Sequence, residues 1–279
     1  MTDYLYDNVV PNFRLDGKLA ILTGGLGGLA LVILRALVAQ GAEVALVDMN
    51  LERTKQAAKD VAQWATEELK GRSDAPVPEV LAWSCNIGDA GHVDETFAQI
   101  NTHHKKNALI LINTAGYCEN FVAEDYPAAN AENIMKVNGL GAFYVSQAFA
   151  RPLIAAKELG LIILIGSMLG TIVNDPQPQC MYNMLKAGVI HLARSLACEW
   201  AKYNIRVNTL LPGYILTPLT KNVIGLHAEM KEAWELKIPM HRMAEPKEFV
   251  GLILYLCSDT ASLYTTGHNL VVDGGYECW

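Results

Sequence analysis

The sequence predicts a single α/β domain in which a parallel sheet of seven strands is doubly wound, with helices on both faces. Three observations carry this. Short apolar runs alternate with segments of ten or more residues at helical spacing, the pattern of right-handed βαβ units. The apolar runs are nearly unbroken, as strands covered on both faces require. The 279 residues, 51% hydrophobic and 18% charged, supply one large core, and no repeat or low-complexity linker divides it. Composition also excludes several classes. Lys and Arg total 22 against 29 Asp and Glu, a net charge of −7 with no basic block, which is unsuited to nucleic acid. No apolar run nears the roughly 18 residues that span a bilayer, so no membrane segment is expected. Residues 1–7 carry acid where a signal peptide carries base. The six cysteines are scattered without a C-x-x-C pair and are expected to be reduced thiols of a cytoplasmic protein.

The elements follow in order. Residues 1–16 are expected to form a polar and aromatic N-terminal arm, and residues 17–279 the domain. Lys18–Thr23 is the first strand, an apolar run that stops at glycines. Gly28–Gln40 is a helix because Leu29, Val32, Ile33, Ala36 and Leu37 fall on one face, and Gly41 ends it. Glu43–Val47 is the second strand, and Leu51–Lys70 a helix with a charged face. Pro76 and Pro78 place a loop before the strand Val80–Cys85. Helix His92–Lys105, strand Leu109–Asn113 and one long helix over Ala131–Lys157 come next. Strand Leu161–Gly166, helix Met181–Tyr203 and strand Ile205–Leu210 continue the rhythm. Pro246–Leu256 is helical, and Asn269–Val272 is the seventh strand. Residues 214–245 interrupt the pattern after the sixth strand. An insertion at the carboxyl edge of such a sheet is placed to act as a lid.

The turn after the first strand reads Thr23-Gly24-Gly25-Leu26-Gly27-Gly28. Glycines between a strand and a helix let the backbone approach a pyrophosphate at the helix N-terminus, the Rossmann arrangement. Asp48 ends the second strand. A carboxylate there accepts both hydroxyls of an adenosine ribose and repels a 2′-phosphate, which points to NAD rather than NADP. Arg53 is expected to be a solvated helix residue rather than a phosphate ligand.

Tyr182 and Lys186 stand at i and i+4 at the start of a long helix, on one face. A tyrosine alone titrates near pH 10, and a nearby ammonium is expected to lower that value toward the range of a useful base. With 11 tyrosines in the chain, such a pair arises easily by chance. Its company makes it specific. Ser167 ends one strand and Asn113-Thr-Ala-Gly116 another, Asn138 lies inside the helix between them, and Pro212-Gly213 with Thr217 follows the sixth strand. Strand carboxyl ends are where ligands bind in open parallel sheets.

With these motifs in their order, the chain resembles the short-chain dehydrogenase/reductase family over roughly residues 17–275. Asp273-Gly274-Gly275 near the end belongs to the same likeness. The resemblance implies that Tyr182 takes the proton of an alcohol and that Ser167 hydrogen-bonds the reacting oxygen. It implies that Lys186 lowers the Tyr182 pKa and holds the nicotinamide ribose, and that Asn138 holds a water linking Lys186 to solvent. It implies a cofactor site of Gly24, Leu26, Gly28 and Leu29 in the turn, with Asp48, Asn86 and Ile87 at the adenosine. Asn113, Ala115, Gly116, Pro212, Gly213 and Ile215 complete it, and Thr217 is placed on the carboxamide. The stretches 173–182 and 267–279 are similar to polyol dehydrogenases, which implies oxidation of a polyol to a ketose with NAD by a homotetramer. A polyol needs several hydrogen-bond partners, so Ser167, Leu169, Asn174, Gln177 and Tyr182 are expected to line its site. Two other readings stand beside this one: an NADP-dependent ketose or carbonyl reductase, and a non-catalytic dinucleotide-binding protein.

Leu26, Leu169, Leu185 and Leu211 occupy positions where the family has serine or another small residue. A gene whose CUG codons are read as serine would explain them, and true leucines at 26 and 169 are expected to weaken binding. No metal site is expected. His103, His104 and His227 lack ligand spacing and are expected to be solvated.

Overall fold

Seven strands form one parallel sheet: β1 (Leu19–Thr23), β2 (Glu43–Asp48), β3 (Val80–Ser84), β4 (Ile110–Asn113), β5 (Gly160–Ile165), β6 (Ile205–Pro212) and β7 (Asn269–Val272). Their order is β3-β2-β1-β4-β5-β6-β7. The computed structural model describes residues 10–70, 76–218, 220, 221, 225 and 228–279. Residues 1–9 of the expected arm, His227 and part of the expected lid lie outside the described residues.

The central strands are buried along their whole length, as their unbroken apolar runs require. Each fully buried Leu, Ile or Val contributes about 1.5–3 kcal/mol. The register sets Ile21 between Ala45 and Leu111, so the carboxyl ends of β1, β2 and β4 finish side by side. One face is covered by α3 (Ala90–His104), α5 (Ala142–Ala156) and α6 (Cys180–Trp200), through residues such as Phe97, Phe149 and Val189. The other is covered by α1 (Gly28–Ala39), α2 (Leu51–Glu68) and α8 (Val250–Cys257), through Ile33, Val61 and Ile253. α7 (Ala228–Lys237) stands apart over the carboxyl edge and joins a third apolar cluster of Met168, Leu169, Trp234, Ile238, Met243 and Tyr276.

Local chemistry fixes the helix starts. The Asn50 side chain accepts from the Arg53 N–H at 3.1 Å, and Asp89 from the His92 N–H at 3.0 Å. α1 begins at Gly27 with no side-chain cap. The expected arm is packed where it is described: Leu15 is fully buried and Ser258 donates to the Asn12 carbonyl at 2.6 Å.

The expected long helix over residues 131–157 is found as one helical run, α4 (Ala128–Ile134) and α5 with a π-helical turn over Met135–Gly141 between them, which the sequence did not predict. The turn is tight against the sheet edge, where a Cβ on Gly141 would lie 2.8 Å from Ile87. Such turns recur at functional sites, and this one carries Asn138.

Candidate active site

β1 and β4 are neighbours whose following connections depart in opposite directions, so a crevice opens above their carboxyl ends. Two adjoining clefts of about 390 and 290 Å3 fill it and share Gly27, Thr114, Gly116 and Tyr117.

The turn after β1 is built for close approach. Gly24 has φ +67°, and a Cβ there would sit 2.6 Å from the Ala115 backbone, so glycine is required twice over. Gly28, Leu29 and Ala30 line the larger cleft at the uncapped start of α1. Their N–H groups lack helical partners, and the helix dipole adds positive potential there. An uncapped helix start beneath a glycine turn fits a dinucleotide pyrophosphate. At the far end, Asp48 lines the smaller cleft with Asn86 and Ile87. Its carboxylate accepts from the Leu26 N–H at 3.2 Å and the Met49 N–H at 2.8 Å, which holds it at the mouth. These residues therefore fit a dinucleotide.

The expected Ser167, Tyr182 and Lys186 stand across the larger cleft and line it, with Pro212, Gly213, Ile215 and Thr217 on the side of the lid. The Lys186 Nζ donates to the Ile165 carbonyl at 2.7 Å and lies 5.5 Å from the centre of the Tyr182 ring. Burial pushes Lys186 down from its ordinary 10.5 to about 8, with the Cys118 thiol opposing. Tyr182 corrects the expectation. Burial pushes its phenol above the ordinary value, Cys118 adds to the rise, and only the Ser167 hydroxyl pulls it down. Loss of water sets the direction, Lys186 does not lower it here, and the phenol is protonated at neutral pH.

Other expected residues fall differently. Ala115 and Gly116 line the smaller cleft, but Asn113 is buried beneath it and accepts from the Thr23 hydroxyl at 2.5 Å. Asn138 is buried, donates to the Tyr117 carbonyl at 2.7 Å and accepts from the Tyr117 N–H at 3.1 Å, which pins the loop after β4. Leu169 is buried in the third apolar cluster, and Asn174 and Gln177 hydrogen-bond each other at 3.2 Å; none of the three lines the described clefts. Cys118, Tyr117 and Pro218 do line the larger cleft, and sequence reasoning missed them. For Cys118 the available signal was position alone, two residues beyond the Asn113-x-Ala-Gly116 motif.

His104 is a second correction. Its side chain is buried, and its Nδ1 lies 2.9 Å from Glu43 and 3.7 Å from Glu79, a grouping of cation-ligand type. The Lys106 ammonium lies 2.6 Å from Glu43 and already supplies a positive charge there. His103 is exposed, as expected. A cavity of about 380 Å3 at the amino edge of the sheet, beside Lys18 and Arg206, lacks any Tyr–Lys pair among the described residues. No described helix is long and apolar enough to cross a membrane.

A dinucleotide cleft facing a Ser–Tyr–Lys group defines an oxidoreductase. Residues 24–277 match a family model described as Enoyl-(Acyl carrier protein) reductase. The chain is 78% identical over 277 residues to the ribulose-forming D-arabinitol 2-dehydrogenase of Scheffersomyces stipitis, covering 99% of this chain and 100% of that one. It is 76% identical to the ribulose-forming D-arabinitol 2-dehydrogenase of Candida albicans, covering 98% of each. It is 54% identical to the NADH-dependent L-xylulose reductase of Ambrosiozyma monospora, covering 100% of each. Among solved structures, gox2181 matches with a TM-score of 0.87 at 33% identity, covering 96% of this chain and 98% of that one. A short-chain type dehydrogenase/reductase from Mycobacterium marinum matches with a TM-score of 0.86 at 32% identity and the same coverage. The chain belongs to the short-chain dehydrogenase/reductase family.

Proposed function

We propose that this chain oxidises D-arabinitol to D-ribulose with NAD. The observation that carries the reading is the Ser167–Tyr182–Lys186 group facing a dinucleotide cleft whose far end carries Asp48. The polyol is taken from the relatives of 76–78% identity, which act on D-arabinitol. NAD is taken from the Asp48 carboxylate, which offers acceptors to two ribose hydroxyls and repels a third phosphate.

The glycine turn and the start of α1 would hold the pyrophosphate, Asp48 the adenosine ribose, Lys186 the nicotinamide ribose and Thr217 the carboxamide. A bound nicotinamide would supply the hydride acceptor. Tyr182 would take the hydroxyl proton as the phenolate, the form it reaches once its own proton has passed to solvent, and in the reverse direction its protonated phenol would donate one. The Ser167 hydroxyl donates to the reacting oxygen and steadies its developing charge. The Ile165 carbonyl fixes the Lys186 ammonium under the Tyr182 ring, where its charge favours the phenolate whenever the proton leaves.

We also propose a cytoplasmic homotetramer. The six cysteines are unpaired, which suits a reducing compartment. Apolar side chains such as Leu140, Met184 and Leu263 are exposed, which suits subunit contacts. Sedimentation of the purified protein tests the tetramer.

Initial rates with NAD and with NADP across D-arabinitol, ribitol, xylitol, D-sorbitol and D-mannitol test the function. Fastest NAD reduction with D-arabinitol is expected. Preference for NADP, or no turnover with any polyol, would overturn the reading.

A further inference from the structure

Between the catalytic cleft and the lid lies a buried run of carboxamides that the chemistry above does not use. Asn174 donates through its Nδ2 to Gln179 at 2.8 Å and to Gln177 at 3.2 Å. Gln179 donates through its Nε2 to Asn120 at 2.8 Å. The Tyr214 hydroxyl donates to the Gln177 carbonyl oxygen at 3.3 Å. Asn174 and Gln179 are each only 5% exposed, and neither lines the two clefts. Loops after three strands are joined: Asn120 follows β4, Asn174 to Gln179 follow β5, and Tyr214 follows β6. Each of these loops also supplies a wall of the cleft, through Cys118, Ser167 and Gly213 respectively. The lid is tied to the same loop, since the Lys237 ammonium lies 2.7 Å from Asp175 and Tyr214 stacks on Trp234 with ring centres 4.5 Å apart.

From this juxtaposition we infer that Asn120 and Gln179 are positioning residues for the polyol: their hydrogen bond, buried on the Gln179 side, sets the spacing between the β4 and β5 walls of the cleft. The inference rests on the polyol dehydrogenase reading. Amides suit the task because each carries both a donor and an acceptor, so one side chain clamps a neighbour on either side. Breaking one link strands a buried partner, and the loops shift to satisfy it. No residue assigned above to the dinucleotide belongs to this run, so a broken link should act on the polyol more than on the dinucleotide.

Steady-state kinetics on full-length protein test this, with D-arabinitol and NAD varied independently and melting followed in parallel. Gln179→Met keeps the length and removes both hydrogen bonds. It is expected to raise the D-arabinitol KM about tenfold while the NAD KM stays within about twofold. Asn120→Leu removes the acceptor at an exposed residue, so it folds even if Gln179→Met does not. It is expected to give the same split. Asn120→Asp keeps the acceptor for Gln179 and is expected to restore the KM. The double variant Asn120→Leu with Gln179→Met should be no worse than Gln179→Met alone, because Gln179→Met already breaks the link that Asn120→Leu removes. Unchanged D-arabinitol KM in Asn120→Leu, or equal losses toward both substrates, would overturn the inference. Wild-type protein inactive on every polyol would instead overturn the reading on which it rests.

Discussion

The two halves of the active-site crevice are built from different materials. On the proposed reading, the cofactor half, above β1 and β2, is centred on backbone: glycines, uncapped N–H groups and one carboxylate lie within 25 residues of sequence from Gly24 to Asp48, and Asn86, Ile87, Ala115 and Gly116 join them from later loops. The substrate half, above β5 and β6, is made by side chains that meet from distant loops, such as Gln179 with Asn120 and Tyr214 with Trp234 and Tyr276. A dinucleotide is a constant ligand, so a short local turn suffices for it. A polyol is defined by the placement of its hydroxyls, so its site has to be assembled over long range. Substitutions should therefore fall into separate kinetic classes according to the half they touch.

The largest effect is expected on the seam between the halves. Tyr182→Phe removes the proton-transfer group and leaves the ring. A fall in kcat of about 100- to 10,000-fold is expected, with NADH binding, followed by its fluorescence, unchanged. Loss of dinucleotide binding would mean that the phenol belongs to the cofactor half.

Next in size is Asp48→Ala, which touches only the adenosine end. Its loss removes hydrogen bonds to a charged acceptor, and the ratio of kcat/KM for NAD over NADP is expected to fall about 10- to 100-fold. The D-arabinitol KM at saturating cofactor should not move. If it does, the two halves are coupled.

The sequence made the cofactor half legible and the substrate half only in part, for the same physical reason. Glycine spacing, strand ends and an i, i+4 pair are local signals. All seven strands stand within one or two residues of their expected ends, and β7 spans Asn269–Val272 as expected. Signals that depend on distant partners did not read out. His104 looked solvated because its partner Glu43 is 61 residues away. The amide run of Asn174 and Gln179 does not read out because Gln179 meets Asn120, 59 residues away. The π-turn at Met135–Gly141 was invisible to a 3.6-residue period, which runs on through it. The raised Tyr182 pKa was missed because spacing reports the nearby lysine and not the loss of water.

That last point gives a third test, of stability. The folded pKa of Lys186, about 8, lies below its ordinary 10.5. Between those values the unfolded chain holds a proton that the folded chain lacks, so this group makes stability rise with pH across the window, and its penalty is complete below about pH 8. Lys186→Met keeps the stem and removes the titration. Melting of the wild type relative to this variant should improve from pH 7.5 to 9.5, below the ordinary range of tyrosine. A parallel pair of curves would show that Lys186 is not desolvated.

The smallest effect is expected at Leu26, and it sharpens the comparison by setting one leucine against another. Leu26 is half-buried, and it meets Asp48 through its backbone N–H, which any residue supplies. Leu26→Ser is therefore expected to change the NAD KM by about twofold or less. Leu211 is fully buried in β6, and a Cβ on Gly166 would lie 2.3 Å from its Cδ2, so its methyl groups occupy space that the glycine leaves. Leu211→Ser is expected to lower stability by about 2–5 kcal/mol through the cavity it opens, read from denaturant melts, with little change in the NAD KM. The backbone-made half would then tolerate serine where the packed half does not. If the native gene places serine at both positions, the intact mass of protein from its own host would show it, and the neighbours of Leu211 would have to close that space another way. A stability loss at position 26 equal to that at 211 would remove the distinction between the two halves.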